Sequence, residues 1–132
     1  MYDWRSFSAS DGADVSDSVL NLPAGNYLLT VAGNNYVVTG DYQFRLLNFT
    51  NSAPFSPGTP VTGLLNPANG TLLYRFDGVA GDRYYFDGQA ANNFTYPPYV
   101  RLYSPQGKIV MGQYVNQDVD TFSLPQTGTY TL

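Results

Sequence analysis

TLLYRFDGVAGDRYYFDG, residues 71–88, alternates apolar and polar side chains twice, with one short break between. In its first half Leu72, Tyr74 and Phe76 fall on one side and Thr71, Arg75 and Asp77 on the other. In its second half Tyr84 and Phe86 stand against Arg83, Tyr85 and Asp87. A period of two with a single apolar face is the pattern of a strand that covers a core on one side. The break, Val79-Ala80-Gly81-Asp82, carries the Gly and Asp that tolerate turn conformations. Two strands and a tight connection are therefore expected here.

The same grammar extends outward. DYQFRLL (41–47) sets Tyr42, Phe44 and Leu46 against Asp41, Gln43 and Arg45. Turn signals recur as AGNY, AGNN, NPANG, SPQG and QTGT. This spacing predicts about ten or eleven short strands and no helix, an all-β chain of antiparallel β-sandwich or barrel type. Composition agrees. Apolar residues make up 43%, aromatic ones 16% and charged ones 12%, which excludes a disordered tail poor in aromatics and rich in charge. Nearly all the aromatic residues are expected to pack in the core.

The absent residue types narrow the chemistry. There is no Cys, His or Glu, and Lys108 is the only lysine. Disulfides, cysteine-ligated zinc and histidine-based triads are thereby excluded. A net charge of −4 argues against nucleic acid as a partner, since that grip needs clustered Lys and Arg. No apolar run approaches the roughly 18–20 residues that span a bilayer, so no membrane span is expected. The opening MYDWRSFSAS lacks the basic start and apolar core of a signal peptide, so an export signal is expected to lie outside this sequence. The lysine-poor balance of Asn, Thr, Ser and Tyr points to an extracellular protein.

An internal echo organises the chain. LNLPAGNYLLTV (20–31) lies over FSLPQTGTYTL (122–132) with a one-residue gap. Leu22, Pro23, Gly25, Tyr27 and Leu29 fall on Leu124, Pro125, Gly128, Tyr130 and Leu132, at a period of about 102 residues. Upstream, Met1-Tyr2 aligns with Leu102-Tyr103. Residues 1–47 then read as the C-terminal part of one repeat unit, 48–59 as a polar, Pro-rich linker, and 60–132 as the main part of the next unit. Both ends of the chain are expected to fall inside a repeat. Strand edges are left open by this division, so neighbouring repeats or identical chains are expected partners, unless 1–47 completes the 60–132 unit as a single sandwich.

These motifs, in this order, resemble the bacterial pre-peptidase C-terminal domain. Tyr74, Arg75 and Phe76 match its YRF-type strand, and Ala80-Gly81 the following turn. Leu102, Tyr103, Pro105 and Gly107 match its L-Y-x-P-x-G hairpin, and Gly128 with Tyr130 its A-G-x-Y strand. TGDYQFRLL resembles the closing strand, which here precedes the YRF strand and so departs from the family order. The resemblance implies a jelly-roll-like β-sandwich, repeated in tandem in large secreted or surface-attached bacterial proteins. It also implies accessory roles in secretion, substrate attachment or surface display, often beside calcium-binding repeats.

Candidate sites are few. GxSxG, HExxH and phosphate-loop patterns are absent, and the ten aspartates form no catalytic pattern, so no enzyme is expected. Calcium is the cation that the acidic loops would suit, at Asp11, Asp14 and Asp17 in DGADVSD and at Asn116, Asp118 and Asp120 in the aligned NQDVD. Solvated loops account for the same residues, and no cofactor is required. In NNFTYPPYVRLY, Tyr96 and Tyr99 bracket a Pro-Pro step that could present them to a glycan or protein partner; capping the end of the fold is the other reading. Two functions follow. The first is a structural or adhesive β-repeat of a large extracellular or cell-surface bacterial protein or fibre. The alternative is a carbohydrate- or protein-binding accessory module beside a secreted hydrolase.

Overall fold

The structure is a computed structural model that describes residues 19–33, 37, 39–67, 70–89 and 91–132. The all-β expectation holds. Among the described residues seven strands form two sheets: β1 (Ala53–Pro54), β2 (Tyr74–Gly78), β3 (Arg83–Phe86), β4 (Tyr99–Tyr103), β5 (Ile109–Tyr114), β6 (Val119–Ser123) and β7 (Gly128–Thr131). The larger sheet runs β1-β2-β7-β4-β5, and β3 pairs with β6 in the smaller one. Every pairing is antiparallel except β1 with β2.

The motif at 71–88 forms as its alternation demands. Phe76 is buried and Tyr84 and Phe86 are half-buried, whereas Asp77 and Tyr85 face solvent. The connection Val79–Asp82 carries the chain from the larger sheet to the smaller, closed by the Asp82 amide donating to the Val79 carbonyl at 3.0 Å. The Asp82 side chain turns back to accept from the Val79 amide at 3.1 Å. A second crossing, from β6 to β7, runs alongside it. The Gly81 amide donates to the Leu124 carbonyl and the Leu124 amide to the Asp82 carbonyl, both at 2.9 Å.

Leu124 thus stands where the two crossings meet, with Phe76, Leu102, Met111 and Tyr130 completing the buried core. Tyr84, Phe86, Val119 and Phe122 of the smaller sheet pack against that core. Phe76 stacks on Tyr130 at 5.6 Å and meets Tyr84 at 5.4 Å between ring centroids. Gly78 is required by this packing, since a Cβ there would lie 2.3 Å from Leu124 Cδ1. The SPQG turn joins β4 to β5, with Gly107 at φ 75° supplying the left-handed step after Pro105.

Two departures from the sequence reading have physical causes. The strand expected at 41–47 is not in a ladder: Tyr42, Phe44 and Leu46 are exposed, and among the described residues 19–47 contribute no strand to either sheet. Alternation records a face suited to a core, but a strand also needs a neighbour for its amides. Conversely, part of the Pro-rich stretch at 48–59 is docked. Asn48 caps a 3-10 turn at Phe49–Asn51, and Phe55 follows β1 onto the core, its ring 5.3 Å from that of Phe76.

Candidate functional site

The two similar stretches, 20–31 and 122–132, occupy different environments. In 124–132, Leu124 is 2% exposed and Tyr130 fully buried. In the first copy, Leu22, Tyr27 and Leu29 are 50, 57 and 63% exposed. The local geometry is nonetheless shared. The Tyr130 hydroxyl donates to the carbonyl of Gln126, four residues back, at 2.6 Å. The Tyr27 hydroxyl donates to the carbonyl of Pro23, also four residues back, at 2.5 Å. A tyrosine tied to an upstream carbonyl pins a chain corner as it enters a strand. The first stretch makes the corner and has no ladder partner among the described residues. Before it, the Asn21 side-chain amide donates to the Gln106 carbonyl at 2.7 Å, so this arm starts against the β4–β5 turn.

Strand edges are the other half of the site. β1 is two residues long and ends in Pro54, with Pro57 following, which blunts that edge of the larger sheet. In the smaller sheet β3 begins at Arg83 and β6 contains Asp120, charges that discourage edge pairing. β5 differs. Its six residues, IVMGQY, include no charge and no proline, and its outer side has no ladder partner among the described residues.

The candidate ligand residues separate. Tyr96 lies in the loop before β4 and is 82% exposed. Tyr99 opens β4 directly opposite Tyr114 of β5, their rings edge to face at 5.4 Å. The Arg101 guanidinium carbon lies 4.8 Å from the Tyr99 ring centroid, and Gly112 leaves room for the ring beside the strand. Tyr114 and Arg101 were not singled out by the sequence reading. Counting outward from the SPQG turn would not place Tyr114 opposite Tyr99; a register shift between Leu102 and Tyr103 brings it there.

Of the acidic candidates, Asp11, Asp14 and Asp17 lie outside the described residues. Asp118 accepts from the Gly88 amide at 2.9 Å and from the Tyr85 hydroxyl. The Tyr85 bond first, and the Gly88 amide second, hold the Asp118 carboxyl below its ordinary value. The same contact, ahead of desolvation and the charges of Asp118, Asp87 and Asp120, pushes the Tyr85 phenol up to about 12. Asp120 accepts from the Thr121 amide at 2.6 Å. Among the described residues no three acidic side chains converge as metal ligands.

A cleft of about 440 Å³ opens between the β4–β5 turn and the β6–β7 connection, where Lys108 is the sole ionisable lining residue. One ammonium supplies no acid–base pair. No helix among the described residues is long and apolar enough to cross a membrane. No known family model, curated protein or solved structure matches the chain.

Proposed function

We propose that the chain is a non-catalytic β-sandwich repeat of a large extracellular bacterial protein or fibre, joined to its neighbours through strand edges. The observation that supports this reading is the phrase present twice, once as core and once as an exposed arm that keeps the same tyrosine corner. An arm with the sequence of a central strand, and no strand beside it among the described residues, is suited to completion by another chain. Such a role requires no cofactor. Light scattering over a concentration series of the full chain is expected to show mass rising with concentration. A monomer at every concentration would contradict the reading.

A second reading, an accessory module that binds carbohydrate or protein, draws support from the exposed Tyr96 and the Tyr99, Tyr114 and Arg101 group. Aromatic faces of this kind stack on sugar rings. Titration with a panel of soluble polysaccharides is expected, on this reading, to give binding that Tyr99→Ala abolishes. Binding unchanged by both Tyr96→Ala and Tyr99→Ala would remove it.

A further inference from the structure

We infer that the open edge of β5 is the acceptor for residues Tyr27–Val31 of a second copy of this chain. The inference rests on the assembly reading above and names its joint.

The donor side begins with what the arm lacks. YLLTV presents Tyr27, Leu28, Leu29 and Val31 as exposed residues, with Leu28 the most exposed of them. Its counterpart in the second copy, around Tyr130, is β7, which has β2 on one side and β4 on the other. The arm therefore has strand chemistry, and burial of its aliphatic side chains is the driving force for finding a ladder.

The slot of β7 is not that ladder. It is filled by the chain's own Gly128–Thr131, and exchanging one copy of the phrase for the other would leave the displaced copy exposed. An unfilled edge gives a net gain in burial.

Among the edges, β5 is the one that resists least. It is the longest of the seven strands and lacks the proline and charges that blunt β1, β3 and β6. The two segments also match electrostatically by default. No charged residue lies between Asp17 and Asp41, and none between Lys108 and Asp118. Pairing them desolvates no ionic group. Five donor residues suit a six-residue acceptor, each strand rising about 3.3 Å per residue.

The chain contains no cysteine, so an introduced pair reports the joint without background. Full-length Leu29→Cys mixed with full-length Gln113→Cys is expected to give disulfide-linked heterodimer on mild oxidation. The yield should exceed that of a control pair, Leu29→Cys with Thr129→Cys, whose second site lies in mid-sheet. Gln113→Lys in the otherwise unchanged chain is expected to weaken self-association about tenfold, by placing a charge on the edge. Heterodimer no higher than the control, in a chain that still self-associates, overturns the β5 joint and leaves the assembly reading standing. A chain that remains monomeric throughout overturns both.

Discussion

Leu22 and Tyr27 align with Leu124 and Tyr130, yet the first two are exposed and the last two lie in the core. Pro, Gly and Tyr are common to both copies, and so is the hydroxyl-to-carbonyl bond four residues back. What differs is the neighbourhood. Tyr130 has β2 and β4 alongside and the Phe76 ring at 5.6 Å. Among the described residues the arm meets the β4–β5 turn through Asn21 and through Val19, which lies beside Gly107. A strand sequence therefore specifies its corner locally and its burial only through partners. Within one molecule, the comparison separates what a sequence does for itself from what a sheet does for it.

The largest effects test the burial half of this comparison. Tyr130→Ala is expected to cost about 3–5 kcal/mol and Leu124→Ala about 2–5 kcal/mol in urea unfolding of dilute protein. Tyr27→Ala and Leu22→Ala should stay within about 0.5 kcal/mol, as surface changes do. Equal losses at the two copies would break the comparison.

Overpacking comes next. Gly78→Ala drives a methyl toward Leu124 Cδ1 and is expected to cost about 1–3 kcal/mol. Combined with Leu124→Ala it should cost much less than the sum, because the two share one space. Additive losses would place Gly78's role elsewhere. Tyr130→Phe removes the bond to the Gln126 carbonyl and is expected to cost about 1 kcal/mol. Tyr27→Phe, losing the same bond in water, should cost less.

The smallest effect is a control at an exposed pair outside both stretches. Asp118 titrates low in the folded chain, so its bond to Tyr85 contributes stability above the unfolded carboxyl range near pH 4, and that contribution is lost as pH falls further. The Tyr85 phenol titrates high, so its contribution is complete below about pH 10 and disappears as pH rises toward about 12. Spectrophotometric titration of the tyrosines should show Tyr84 and Tyr85 ionising late, and Asp118→Asn should bring only the Tyr85 phenol back toward the ordinary range. Asp118 and Tyr85 are both at the surface, and the overall stability should barely change.

Much of the fold was legible at 71–88 and 99–132. There alternation, the VAGD and SPQG turns and the apolar faces of Phe76, Tyr84, Leu102 and Tyr130 all point to one arrangement. The stretch 41–47 reads as clearly as any strand, yet Tyr42, Phe44 and Leu46 remain exposed, because alternation carries no information about a partner. The docking of Phe55 was hidden for the opposite reason. Prolines at 54 and 57 look like a linker, although Pro54 suits an edge. Of the candidate site, Tyr96 and Tyr99 were readable as exposed aromatics. Tyr114 and Arg101 needed the β4–β5 register, and the susceptibility of the β5 edge needed the strand order.

On the proposed reading the arm is a strand that another chain completes. Amide hydrogen exchange of the full chain, followed over a concentration series, tests it most directly. Tyr27–Val31 are expected to exchange freely in dilute protein and to become protected as concentration rises, while Tyr130 and Thr131 stay protected throughout. Arm amides as protected as those of β7 in dilute protein, or unprotected at every concentration, would contradict it.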